Sequence, residues 1–523
     1  MVYSQTQIME QEVYLVELLG KRSPALSNLK AAVFIQPTEE NLEILRKELR
    51  DPRFSEYHVF FSNIVSPEVL TDLAKADELE VVKQVQEYYA DFLAINEDFF
   101  QFGQDKSLIL SSPKARTLEA GKIYDRNVQG ILACLLALKR RPSQIRYQSA
   151  SDVCRRIAID IKGKLESDDV FDFRRQEGPL LLLLDRRDDP VTPLLTQWTY
   201  QAMVHELLGL NNNRVSLKGA PGIRKDLEEV VLSITSDDFF AKNRFANFGD
   251  LGSAVKQLLD DYQSKSKMNE NISSIEDMQN FMERYPAFRS QSINVSKHVA
   301  IMGELARLTD QCQLLVISKL EQDIACSNDH ASHKAELSRI LDNSRVDVAD
   351  KIRLVLLYLI RYESYGELAE IKSALERSCN VESSQTAILE AMLAYAGESR
   401  RAQGLFAGGG LISQITKSVS SAINGVENVY TQHQPVLSFI LDSILKAKLS
   451  NSAYPVAHSF VSNVSSRPSE VIVFIVGGAT YEEALKVAEF NRENPGMRVI
   501  LGGSCVHNSS SFLEEVGYSF GRN

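Results

Sequence analysis

The sequence predicts an α/β chain interrupted by a long all-α region, with parallel-sheet segments at both ends. Three observations carry this expectation. Short apolar runs alternate with amphipathic helical patterns up to residue 185. From residue 192 to about residue 454 almost every window has helical spacing. After Pro455 the strand–helix alternation returns. Such alternation gives a parallel, doubly wound sheet.

Residues 31–36 (AAVFIQ) have the form of a buried strand, and Pro37-Thr38-Glu39-Glu40 then opens a helix. Thr38 is its expected N-cap, with Glu39 and Glu40 complementing the helix dipole. Residues 58–62 (HVFFS) form the next strand, followed by Ser66-Pro67-Glu68, a cap with proline at the first helical position. Between residues 78 and 93, Val81, Val82, Val85, Tyr89 and Phe92 recur at helical spacing and predict a helix. Residues 124–138 and 153–165 are further amphipathic helices. Residues 180–184 form a strand buried on both faces, because the apolar run does not alternate.

In the helical region the clearest segments are 227–234, 248–262, 295–308 and 346–362, while polar residues 265–274 predict an exposed loop or hairpin tip. Residues 402–425, with Gly408–Gly410 and a serine-rich run, predict a mobile segment. The chain then gives a strand at 471–476, a helix at 481–491, a strand at 498–501 and a helix at 511–516. Strands at both ends imply that the helical region is an insertion, and that the last seventy or so residues complete a sheet begun before residue 185.

A chain of 523 residues exceeds the ~250–300 residues at which one core stops growing, so two or three domains are expected. Its 44% hydrophobic and 24% charged residues are ordinary globular composition. A net charge of −11 argues against broad binding to nucleic acid or anionic lipid. No run approaches the ~18–20 apolar residues of a membrane span, and the N-terminus lacks the basic-then-apolar order of a signal peptide. Six cysteines scattered without a CxxC pair fit a reducing cytosol.

The segment with most resemblance to an enzyme is LLLLLDRRDDPVTP, a buried strand ending in Asp185 where open α/β sheets place ligands. Aspartyl phosphotransferases need a second aspartate two residues later; position 187 is arginine, and Asp188 and Asp189 follow instead. Asp185 is therefore expected to cap the following turn, and an α/β enzyme acting on a phosphorylated substrate at Asp185 is the competing reading. In Gly477-Gly478-Ala479-Thr480-Tyr481-Glu482-Glu483, the two glycines after a strand do not make a phosphate cradle, because Glu482 and Glu483 already occupy the positive helix end. A tight turn with Thr480 as N-cap is expected, and Gly502-Gly503 has the same form. His330 and His333 do not form HExxH and are expected on an exposed turn. No catalytic residue, metal site or cofactor site is assigned.

Residues 180–213, 285–304 (YPAFRSQSINVSKHVAIMGE), 425–435 (GVENVYTQHQP) and 473–483 (VFIVGGATYEE) closely resemble signature blocks of the Sec/Munc (SM) family, in the family's order and nearest to its endosomal branch. The resemblance implies an arch-shaped three-domain SM fold: an N-terminal α/β domain over residues 1–90, a second α/β domain combining 91–200 with 456–523, and a helical domain over 201–455. It implies a regulator of SNARE-mediated vesicle fusion in trans-Golgi, endosomal or vacuolar transport. Such a protein binds a syntaxin-type Qa-SNARE, with an R-SNARE or assembled SNARE complex as further partner, and reaches Golgi and endosomal membranes through SNAREs. By the same resemblance Leu70 lines a pocket for the syntaxin N-terminal peptide, Leu73 and Val85 lie beside it, and Glu87 forms its rim; the competing role of these apolar residues is packing between two helices. A helical hairpin near residues 263–305 is the second SNARE surface, with Pro286 as its hinge, since proline breaks a helix at a cost of ~3 kcal/mol or more. Family members carry a further helix and central strand before the position matching Met1, so exposed sheet edges are expected in the first domain.

Overall fold

The computed structural model describes residues 8–9, 12–13, 15–21, 24–173, 178–269, 275–401, 405, 429–460 and 467–521, without the side chains of 265–290 and 383. Two compact units emerge. One comprises Met1–Asp185, Ser443–Ala479 and Phe490–Val506; the other comprises Arg186–Asp442, Thr480–Glu489 and His507–Asn523. The first unit holds residues 1–90 and most of the second expected α/β region, whose residues 186–200, 480–489 and 507–523 go to the other unit.

The first unit begins with β1 (Leu26–Ile35), α1 (Glu39–Arg50), β2 (Phe54–Phe61), α2 (Pro67–Ala76) and β3 (Val82–Glu87). Local chemistry sets the helix starts: Thr38 accepts from the Asn41 N–H, and Ser66 accepts from the Val69 N–H with Pro67 at the first helical position. The strands pair in parallel in the order β1-β2-β3. Tyr57, Val59 and Phe61 of β2 join Val33, Ile35, Leu42, Leu45 and Leu73 in one core.

The helix expected at 78–93 is replaced by β3 and by the start of β4 (Leu93–Asn96). Asp77 accepts from the Val81 and Val82 N–H groups at 2.9 and 3.0 Å, diverting the backbone from helix. Backbone bonds from Tyr57 to Val81 (2.9 Å) and from Tyr88 to Phe61 (2.7 Å) then seat the valine-rich run beside β2. Val85 is therefore a strand residue and does not pack two helices.

A larger sheet uses β5 (Phe99–Gln101), α3 (Leu118–Leu138), β6 (Gln144–Tyr147), α4 (Asp152–Ser167), β7 (Leu180–Asp185), β10 (Val456–Ser459), β11 (Glu470–Val476) and β13 (Arg498–Gly503). Its order is β10-β6-β7-β11-β13-β5-β4. The five middle strands are parallel, and β10 and β4 join antiparallel at the edges. The C-terminal strands thus complete a sheet begun before residue 185, as the sequence predicts. Gly502 and Gly503 belong to β13 rather than to a turn after it; a Cβ on Gly502 would lie 2.3 Å from the Phe100 ring.

The second unit holds α5 (Tyr200–Leu207), β8 (Arg214–Ser216), β9 (Glu229–Val231), α6 (Asp238–Asn243), α7 (Phe248–Asn269), α8 (Ile275–Gln311), α9 (Leu314–Cys326), α10 (His330–Leu341), α11 (Val348–Arg361), α12 (Leu368–Cys379), α13 (Ser383–Ala396) and most of α14 (Val436–Leu445). It also takes the start of α15 (Tyr481–Glu493) and α16 (Ser509–Phe520). The helix expected at 227–234 is β9, paired antiparallel with β8; the β-branched Val230 and Val231 suit that ladder. Residues 265–269 continue α7, where the sequence predicts a loop, and residues 270–274 lie outside the described set. The segment expected to be mobile, 402–425, lies outside it too except for Leu405. Two short strands, β12 (Ala479–Thr480) and β14 (Val506–His507), complete the elements used here.

Candidate functional site

Leu70 and Leu73 stand one turn apart on α2, so they share a helix face. Leu73 is buried in the core, whereas Leu70 remains 40% exposed. Val85 pairs with the buried Val59 and Glu87 with the buried Phe61, which places both on the sheet face that carries the core. Because β3 is at the edge of its sheet, Val85 is 49% exposed. The Glu87 carboxylate is held on both oxygens, by the Val65 N–H at 2.8 Å and the Tyr89 hydroxyl at 2.7 Å. Leu70 and Val85 are thus exposed apolar side chains, Leu73 belongs to the core, and Glu87 carries a fixed carboxylate.

Pro286 lies within α8, which runs through it without interruption. The expected break is absent because a long helix outweighs one missing hydrogen bond. About 18 Å further along the helix axis, α8 is anchored by a network that the sequence did not reveal. Asp237, the N-cap of α6, receives the Phe240 N–H at 2.9 Å and faces His298 Nε2 at 3.0 Å, Asn294 Nδ2 at 3.2 Å and Lys297 Nζ. The Tyr200 hydroxyl meets His298 Nδ1 at 2.8 Å. Burial pushes the Asp237 carboxyl up, but His298 and Lys297 outweigh it and hold the group well below the usual carboxylate range. The base of the α7–α8 pair is thereby fixed to α5 and α6. The His298-Lys297 pair within 285–304 was the available signal, but its partner lies 60 residues upstream.

Asp185, the competing catalytic candidate, is buried; it accepts from Ser151 Oγ at 2.6 Å, and its N–H donates to Gln148 Oε1 at 2.9 Å. Asp189 caps the next turn, receiving the Thr192 N–H at 3.0 Å and hydroxyl at 2.7 Å, and also the Val436 N–H at 3.0 Å. Arg186 is fully buried and donates from Nη1 to both oxygens of Glu483 at 2.8 Å. Glu483 also accepts from the Thr480 N–H at 2.9 Å, and Thr480 Oγ1 caps α15 as expected. Thr192 Oγ1 also meets His433 Nε2 at 3.1 Å, so this cluster ties three signature segments together and leaves its acids engaged by protein donors. His333 is buried between Tyr362 (2.7 Å) and Ser327 (3.1 Å), and His330 opens α10 beside Glu367 and Tyr358. Both stand on a helix rather than an exposed turn, because Tyr358 of α11 and Tyr362 just after it supply the polar contacts that burial requires.

A model of the Sec1 family matches residues 1–515. Among curated proteins, vacuolar protein sorting-associated protein 45 of Dictyostelium discoideum is 45% identical over 520 residues, covering 99% of this chain and 90% of its own. The Homo sapiens protein of that name is 44% identical over 522 residues with the same coverage. The solved structure of the SM protein Vps45 in complex with the Qa SNARE Tlg2 (1-310) matches with a TM-score of 0.88 and 42% identity, over 99% of this chain and 91% of that one. The Unc18–syntaxin 1 complex from Monosiga brevicollis shares the fold, with a TM-score of 0.77 at 20% identity.

Proposed function

Because the chain belongs to the Sec1 family, we propose that it regulates SNARE-mediated vesicle fusion by binding a syntaxin-type Qa-SNARE and promoting SNARE assembly. The observation that carries this reading is the match, over 99% of the chain, to an SM protein solved with a Qa-SNARE. The syntaxin N-terminal peptide docks on Leu70 and Val85, with Leu73 beneath and Glu87 at the rim. The exposure of Leu70 and Val85 and the fixed carboxylate of Glu87 support this assignment. The α7–α8 hairpin, with the Asp237–His298 network at its base and Pro286 as the point where the helix, continuous here, would bend on binding, contacts the SNARE helices, including those of an R-SNARE. No helix among the described residues is long and apolar enough to cross a membrane; attachment to trans-Golgi and endosomal membranes runs through the SNAREs. The protein works by binding and not by turnover, in keeping with the engagement of Asp185 by Ser151.

Gel filtration of the chain with the cytosolic region of a Qa-SNARE tests the proposal. A co-eluting one-to-one complex is expected. Separate elution of two folded proteins at micromolar concentration, with every endosomal and Golgi Qa-SNARE tried, overturns it.

A further inference from the structure

The second unit contains a cavity of about 150 Å³, lined in part by residues 196–207 of the first signature block. It opens between the end of α5 and the beginnings of α9, α11 and α16. Met203, Leu207, Leu314 and Leu513 form apolar walls, and Gln197, Glu206, Asp350 and Arg353 bring polar groups to the same space.

Two independent features indicate what belongs there. Gln197 is only 9% exposed, lines the cavity, and its side-chain amide makes no hydrogen bond among the described residues. The atoms of that amide are not sealed from solvent, so the cavity presents a free carbonyl acceptor and amino donor to whatever enters it. The charges are also unequal. Arg353 feels the field of Glu206 but is committed by contact to Glu321 at 2.5 Å and Asp350 at 2.7 Å. The Glu206 carboxylate receives the N–H and hydroxyl of Ser509, both neutral donors. One cation thus serves three acids. Cys312 on the cavity wall senses this excess: burial pushes its thiol up, and Asp350 and Asp347 push it further. Arg307, the cation nearest that thiol, is itself paired with Glu304 at a contact of 2.6 Å.

We propose that this cavity binds an alkylammonium group, either the lysine side chain of a partner or a free small amine. The aliphatic stem lies against the four apolar walls, and the ammonium donates to Gln197 Oε1 and to the carboxylates of Glu206 and Asp350. The volume accommodates about five water-sized atoms, about the number of heavy atoms in one lysine side chain. Apolar walls favour such a stem over a hydrated metal ion, and the carboxylates repel anions.

The test is methyl NMR on the full chain labelled at its nine methionines, with Met203 assigned by Met203→Leu. Addition of n-pentylammonium is expected to shift the Met203 methyl saturably, at least tenfold tighter than n-pentanol, while pentanoate leaves it unmoved. Gln197→Leu weakens binding about tenfold. Ala349→Trp, a substitution at an exposed position on the rim, abolishes the shift without disturbing the core. A peptide acetyl-Gly-Lys-Gly-amide that shifts Met203 supports a partner's lysine, and a response to free amines alone supports a small-molecule ligand. Equal responses to pentylammonium, pentanol and pentanoate, or a shift that survives Ala349→Trp, overturn the proposal.

Discussion

Replacing Glu483 by alanine removes one half of the most completely buried ion pair that links distant parts of the sequence. Arg186 is 2% exposed and Glu483 1%, and two contacts of 2.8 Å join them across 297 residues of chain. Alanine leaves the buried Arg186 guanidinium with Asp189, at 3.5 Å, as its remaining ionic partner and removes the acceptor of the Thr480 N–H. Breaking a buried pair in this way costs about 3–5 kcal/mol. For a unit of this size each kcal/mol moves Tm by about 2–4 °C, so Glu483→Ala is expected to melt roughly 6–20 °C earlier. Removing both charges together, in Arg186→Met with Glu483→Leu, leaves no unpaired guanidinium, although the Thr480 N–H still lacks its acceptor and Asp189 loses Arg186, and recovers part of that loss. Thermal unfolding followed by near-ultraviolet circular dichroism and by calorimetry measures both variants. A Glu483→Ala protein within ~0.5 kcal/mol of the parent, or a double variant no better than the single one, refutes the view that these signature residues are structural.

Gly502→Ala forces a methyl group into the Phe100 ring and should cost about 1–3 kcal/mol in urea unfolding; adding Phe100→Leu should return part of it. Burial pushes the His433 imidazole down to about 4 from an ordinary 6.5. Its unfolded form therefore binds the extra proton between those values, and stability is full above about pH 6.5 and falls as pH drops toward 4. His433→Gln should flatten that decline by about 1 kcal/mol per pH unit, measured by denaturation at pH 7, 6 and 5, while His205, also pushed to about 4 by burial, keeps its own slope. Asp185→Asn weakens the Ser151 contact of 2.6 Å and should lower stability by about 1–2 kcal/mol with Qa-SNARE affinity unchanged; a phosphatase or transferase activity lost in this variant would restore the enzyme reading.

Features set by neighbours in sequence were legible. The caps at Thr38, Ser66 and Thr480 depend on groups within three residues. The continuous apolar runs of β7 and β11 follow from strands buried on both faces. Features set by distant partners were not. Helical spacing at 78–93 is a true pattern, but β2 offers the valines a ladder and Asp77 turns the chain toward it. The sequence around His333 gives no sign of its burial, because its partner Tyr362 is 29 residues away. The assignment of Leu70 to docking rests on family resemblance; the structure adds that Leu70 and Val85 are both exposed, a feature the sequence alone does not contain.

The most direct test is calorimetric titration of the chain with a Qa-SNARE N-terminal peptide, beside a Leu70→Arg variant. An arginine at the apolar patch leaves a charge to be desolvated when the peptide covers it. Saturable binding by the parent, weakened at least tenfold in a variant with unchanged Tm, is the expected result. Absence of binding by the folded parent, or equal binding by Leu70→Arg, would contradict the docking of the peptide on Leu70, Leu73, Val85 and Glu87.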